Sequence, residues 1–459
     1  MAMIRSRFFV LGLSVTSAGA ALVSACGDGE LRASLIEGPD AAGAPEAPPP
    51  ADQDDGILDA GADADTGTSK PDYDASDEPV VCTTTPCVTQ LVAGSAYFCA
   101  LFSDGSIRCW GRDSQGSLGR GADAGNPTGT RPAPVVGITN ATQVSASSLG
   151  YATCARLADG RVQCWGENTN AQLGLRASPV LRDGVSRSTP ADVAISTELA
   201  RVDVGPASAC ALATNGDLYC WGNNTQRLLG RADAGATFSD GWSGPAVVDG
   251  ENDAIRRIAI GYKTAFALTN DHQLVSWGAV TGRLSSLLYT QPSVFEALSD
   301  VTSVATGGRS AETTTQCIVA SGSVYCWGSN GAGALGTGFP DDERLPRPAK
   351  LVTDGTAFPQ QLALSQSTTC VRMTDGTIQC CGVNKLGQLG TDAGTTAWVF
   401  VPAARFQGRA VQVAVATNTT CALVQGGEVV CWGGNANGEL GQGTSDSEIH
   451  SDPVTVIFD

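Results

Sequence analysis

Histidine is almost missing from this 459-residue chain: only His272 and His450 are present. Imidazole-based acid–base chemistry is therefore poorly supplied, and so are zinc sites that draw on histidine. Basic residues are also scarce, with 28 Lys and Arg against 46 Asp and Glu and a net charge of −18. No basic, aromatic-rich segment stands out, which argues against nucleic acid as a partner. Catalytic motifs are absent: no Gly-x-Ser-x-Gly, no phosphate loop, no His-Glu-x-x-His. Asp249, Glu251 and Asp253 lie together but read as solvated turn residues. The expectation is a protein that is not an enzyme, with no catalytic residue, metal or cofactor.

Cysteine is plentiful, with sixteen residues. Twelve form six regular pairs: Cys99 with Cys109, Cys154 with Cys164, Cys210 with Cys220, Cys317 with Cys326, Cys370 with Cys380, and Cys421 with Cys431. Between the partners lie turn residues such as Ser103-Asp104-Gly105. A three-residue hairpin loop ending in a left-handed glycine puts Cys99 opposite Cys109. The Cys317 and Cys326 pair is one residue closer, and a two-residue loop, Ser321-Gly322, restores the same register. Directly opposed residues stand about 4.5 Å apart, at the short end of disulfide reach. A further copy, with Phe266 and Ser276 in these places, lacks both cysteines at once. That joint loss favours disulfides; buried reduced thiols are the alternative. Cys82 and Cys87 are expected to close a small loop ahead of the first copy. Cys381 is left over, read as a buried thiol where other copies have tryptophan; a redox site is the alternative.

The seven copies begin at 99, 154, 210, 266, 317, 370 and 421. Repeats of this length stack on one another. Each has an apolar alternation, the hairpin, Trp-Gly, a Gly-rich turn such as Gly387-Gln-Leu-Gly390, a variable stretch and a Pro-containing strand. Four short strands per copy is the content of a propeller blade. Trp110, Trp165, Trp221, Trp277, Trp327 and Trp432 are expected to pack against the next blade. The tail Pro453–Ile457 is expected to pair beside the first copy and close the ring.

The plan resembles the regulator of chromosome condensation repeat. The last copy carries the pattern in Cys421-Ala-Leu, Cys431-Trp432-Gly433, Asn435, Gly438 and Leu440-Gly441. The resemblance covers about residues 88–457 and implies an all-β, seven-bladed propeller. Copy four departs from it in Phe266, Ser276 and Gly282-Arg-Leu-Ser, and copy six in Cys381.

The N-terminus differs. Arg5 and Arg7 precede an apolar run from Phe8 to Val23, too short and wrongly flanked for a membrane span. Leu22-Val-Ser-Ala-Cys26 resembles a bacterial lipobox, which implies cleavage and lipidation at Cys26. Residues 1–25 are thus read as a lipoprotein signal peptide. Residues 27–80 hold fifteen acids against Arg32 and Lys70, a net of −13. Such a stretch cannot offset its chain entropy and is expected to be a disordered spacer. The boundaries are 1–25 signal, 26–80 tether and 81–459 propeller.

The expected function is non-enzymatic binding by a monomer in the cell envelope, tethered to the outer membrane through lipid on Cys26. The ligand would be a protein or an envelope glycan, held by variable loops on one face. The longest variable stretches are 175–200, 231–254 and 337–360. Candidate binding-face aromatics are Tyr97, Tyr151, Tyr262, Phe238, Trp242 and Trp398. The family resemblance implies two alternatives: guanine-nucleotide exchange on a small GTPase in the cytoplasm, or inhibition of a secreted enzyme of the β-lactamase type.

Overall fold

The computed structural model describes residues 78–121, 128–176, 183–231, 242–247, 255–279, 289–295, 298–308, 310 and 312–458. These lie in one compact unit, Ser69–Asp459. The signal peptide, Cys26, nearly all of the tether and Phe238 fall outside the described residues.

In blade one, β1 (Val88–Ala93), β2 (Tyr97–Phe102), β3 (Ile107–Arg112) and β4 (Thr128–Pro134) form an antiparallel sheet in chain order. Six further four-stranded sheets repeat this order over 141–192, 199–247, 255–294, 301–348, 359–402 and 410–455. The result is a seven-bladed propeller, and none of the described residues is helical. The inner strands surround a channel of about 210 Å³ lined by small apolar groups such as Ala93, Ala146 and Ala363 together with polar ones such as Ser145, Ser147 and Asp203.

The hairpin register is the one the cysteine spacing predicts. Cys99 faces Cys109, and Cys317 faces Cys326 across the shorter loop. Cys154 faces Cys164, Cys210 faces Cys220, Cys370 faces Cys380 and Cys421 faces Cys431. All six pairs are disulfides, with Cα atoms 4.1–4.2 Å apart, so the alternative of reduced thiols does not apply to them. The bonded sulfurs of Cys164, Cys220 and Cys380 are fully buried, as the blade interior requires. Cys82 and Cys87 are also bonded. Gly105 takes φ 80°, the left-handed conformation that closes a three-residue turn. In the two-residue loop, Ser321 and Gly322 both have positive φ.

The ring closes differently from the expectation. His450–Thr455 pairs within its own blade, as the outer strand of blade seven, and not with blade one. Every blade is one contiguous stretch of chain. Closure comes from side chains and loops. Gln412 Oε1 accepts from the Leu91 amide at 2.8 Å. The same stitch joins blades elsewhere, Gln90 to Val144, Gln143 to Val202 and Gln361 to Val413. Phe458 adds an edge-on contact with both Phe102 and Trp110.

Candidate functional site

Strand direction divides the propeller into two faces. The β1–β2 turn and the β3–β4 loop emerge on one, here the loop face. The β2–β3 hairpin and the link to the next blade emerge on the other, the hairpin face. This corrects one expectation. The variable stretches 175–200, 231–254 and 337–360 each contain a fourth strand, Arg187–Asp192, Trp242–Val247 and Glu343–Pro348. Each stretch therefore serves both faces.

The blades beneath these loops are joined by a recurring contact. Side chains alternate along β3, so Cys109 and Trp110 point to opposite sides. The disulfide faces the following blade and the indole the preceding one, the reverse of the expected direction. Trp165 of blade two packs on Cys99 and Cys109 of blade one, and its Nε1 donates to Ser117 O at 3.0 Å. Trp221 of blade three packs in the same way on Cys154 and Cys164 of blade two, and Trp277 of blade four on Cys210 and Cys220 of blade three. Trp432 of blade seven packs on Cys370 and Cys380 of blade six. Their indoles donate to Gln172 O, Leu228 O and Gln388 O, and Trp110 donates to Glu439 O.

The two irregular blades repair this contact in different ways. Where blade four lacks its disulfide, the Phe266 ring meets Trp327 at 6.0 Å, edge to face. Where blade six lacks its tryptophan, the Cys381 thiol reaches Ala334 O at 3.6 Å, the acceptor an indole would use. Phe400 fills the remaining volume in the same cluster. Cys381 is a buried free thiol, and burial pushes its pKa up.

The loop face is held from below by asparagine. Asn168, Asn224, Asn330, Asn384 and Asn435 each accept from the amide of the leucine five residues on. Nδ2 groups of this set reach into the variable loops, as Asn168 does to Asp183 O at 2.7 Å and Asn435 to Asp446 Oδ2 at 2.7 Å. Asp446 also accepts from His450 Nε2 at 2.7 Å, and this bond holds its carboxyl below the usual range. The Trp-Gly-x-Asn pattern carries this signal in the sequence, where Asn435 stands only as a family match.

The candidate aromatics separate. Tyr97 is fully buried: its hydroxyl lies 2.7 Å from Thr153 Oγ1 and donates to Ala152 O. Burial raises its pKa, and it is not a surface contact. Tyr151 and Tyr262 are half-buried on the loop face. Arg112 stacks over Tyr151 at 6.0 Å, and Tyr262 donates to Leu149 O at 3.2 Å. That bond runs from blade four to the turn of blade two, whose Ser148 donates to Leu364 O of blade six. The blade-two turn thus crosses the channel mouth. Trp398 is half-buried at the junction of blades five and six, where its carbonyl accepts from Gly338. The Trp242 side chain lies outside the described residues. Tyr97 and Tyr151 stack with ring centroids 6.4 Å apart, and Tyr262 reaches the same blade-two turn, while Trp398 lies at a separate junction.

Sequence reasoning missed an ionic clamp on the hairpin face. Glu78 accepts two hydrogen bonds from Arg409 at 3.0 Å and one from Arg372 at 3.3 Å. Arg372 is almost completely buried. The partners are separated by 294 and 331 residues, and no local pattern marks them. No group of His, Cys, Asp and Glu among the described residues could hold a metal ion.

Models of the regulator of chromosome condensation (RCC1) repeat match residues 88–117, 141–172, 200–227 and 410–439, and a second such model matches 321–371. The ultraviolet-B receptor UVR8 of Arabidopsis thaliana is 26% identical over 77% of this chain and 78% of its own length. The human E3 ubiquitin-protein ligase HERC2 is 30% identical over 70% of this chain but only 6% of itself. Among solved structures, human WBSCR16 superposes with a TM-score of 0.63 at 18% identity, over 77% of this chain and 94% of that one. Yeast RCC1 (Prp20), solved with Kap60, gives 0.61 at 18% identity, over 86% and 90%. The chain therefore carries repeats of the regulator of chromosome condensation type and folds as a seven-bladed propeller.

Proposed function

We propose that this protein is a non-enzymatic binding propeller of the cell envelope, held to the membrane by lipid on Cys26, which engages a protein or glycan through its loop face. One observation carries the reading. The blades repeat one architecture, while their β3–β4 loops range from ten residues (279–288) to twenty (167–186). Rigid blades with divergent loops suit recognition, because the scaffold fixes where each loop begins and ends. Disulfides in every blade but the fourth suit an oxidising compartment, and so support export.

Fractionation of cells making the full chain tests the anchor. The wild-type protein should partition with membranes, and Cys26→Ser should release it. Recovery of the wild-type chain in cytosol, with reduced thiols, would overturn the reading. Capture from envelope extract then tests the loop face. The bait with residues 170–186 replaced by the shorter 113–127 loop should lose its specific ligand.

A second reading rests on the fold alone. Yeast RCC1 (Prp20) shares this architecture and was solved bound to Kap60. Exchange or inhibitory activity toward another protein is the corresponding alternative, and a cytosolic location would favour exchange.

A further inference from the structure

The hairpin face carries the same arginine position twice, with opposite surroundings. In blade six, Arg372 is the fifth residue of the second strand, Thr368–Met373. It is buried beneath the N-terminal segment, where Glu78 bridges it to Arg409. In blade two, Arg156 is the fifth residue of the second strand, Ala152–Leu157. No described segment lies over it, and it is half-buried. It borders a cavity of about 380 Å³ that is also lined by Arg201 and Arg256 from the next two blades.

We propose that this cavity is a docking site for an acidic peptide segment of a partner protein, with a glutamate side chain gripped by Arg156. The molecule supplies its own precedent, since its N-terminal segment fills the equivalent blade-six site with Glu78. Arg156 is already oriented for the role. Its Nε donates to Leu199 O at 2.5 Å and its Nη1 to Thr142 Oγ1 at 2.7 Å, and it forms no ion pair with any described carboxylate. Planar guanidinium forks of this kind match a carboxylate in geometry as well as charge.

Two further arginines line the same cavity. Arg201 is bonded through both nitrogens to Asp203, at 2.7 and 2.8 Å, and Arg256 donates to Thr302 O at 3.3 Å. Glu198 occupies the position that Arg409 holds in blade seven; it is exposed and makes no ion pair with Arg156. Three arginines thus line the cavity, of which Arg201 and Arg256 are already engaged with other groups. This stands out on a chain of net charge −18. A cavity of this size admits one or two extended residues. The site lies on the face opposite the loops of the proposed function and goes beyond that reading.

The test uses the folded full-length chain and a capped peptide copied from the molecule's own occupant, acetyl-Ser-Asp-Glu-Pro-Val-amide. Isothermal titration at fixed ionic strength should show saturable binding. The Glu→Gln form of the peptide should bind at least tenfold more weakly. Arg156→Gln should weaken the Glu peptide at least tenfold, Arg156→Lys less, and Arg347→Gln on blade five not at all. If Arg156→Gln does not fold, Arg256→Gln provides the second handle and should weaken binding severalfold. No saturable binding, equal binding of the two peptides, or unchanged affinity in the arginine variants would overturn the proposal. Binding of inorganic phosphate without the peptide would overturn the peptide assignment.

Discussion

Replacing Trp221 by Phe isolates the bond that ties one blade to the next. Trp221 and Trp327 are both fully buried at blade junctions. Trp221 Nε1 donates to Gln172 O at 2.8 Å, whereas Trp327 Nε1 has no acceptor among the described residues. At two other junctions a threonine shares the acceptor: Thr420 donates to Gln388 O and Thr369 to Ala334 O. Blade three has Ala209 opposite Trp221, so Gln172 O has no such reserve. Phe in place of either indole removes similar buried surface, and that cost largely cancels in the comparison. Trp221→Phe also leaves a buried carbonyl without its donor, costing about 1–3 kcal/mol. Trp327→Phe removes a donor that has no acceptor among the described residues, so no such penalty is expected. Trp221→Phe should therefore be the more destabilising by about 2 kcal/mol. Urea unfolding with disulfides intact, followed by circular dichroism and fitted with a common m-value, measures the difference. Equal losses, within about 0.5 kcal/mol, would refute the role given to the indole bond.

Cys381→Trp should destabilise the protein by about 1–3 kcal/mol although it restores the motif, because Phe400 already fills the space; adding Phe400→Ala should recover part of the loss in the same assay. Non-reducing peptide mapping should find Cys82 joined to Cys87 and otherwise only within-blade pairs, with Cys381 alkylated only after denaturation; any between-blade link contradicts the register. The His450 bond lowers the folded-state pKa of Asp446, so its contribution is present above the unfolded carboxylate pKa and is lost as pH falls through the folded value. Asp446→Asn should therefore lower the melting temperature at pH 6 and converge with wild type at strongly acid pH; a constant gap across that range would exclude the linkage.

Blade count and hairpin register are legible because both rest on local spacing. Two cysteines ten apart across a glycine turn admit one pairing, as Cys154 with Cys164 and Cys370 with Cys380 show, and Ser321-Gly322 shortens the turn without moving Cys317 from Cys326. The direction of Trp110 is only half legible. Alternation says that it opposes Cys109, but not which neighbour lies on that side. The closing contacts escape the sequence because Pro453–Ile457 has strand character without any mark of its partner. Tyr97 precedes the hairpin like Tyr151 and Tyr262, yet it is the first residue of its strand, paired with Gly111, whereas they lie in the turns, and this leaves it buried. The arginine sites are illegible, since Glu78 and Arg372 meet only when the first and sixth blades are placed in the ring.

Because each blade is built from one unbroken stretch of chain, the gene can be read as a row of interchangeable cassettes. The glutamine stitch at the junction of blades seven and one is the same chemical device as those within the series. Whole-cassette duplication, exchange or rearranged order would thus leave no strand orphaned. Natural variation by recombination at the inter-blade links, and circular permutation in the laboratory, meet the same low barrier at nearly every junction of the ring.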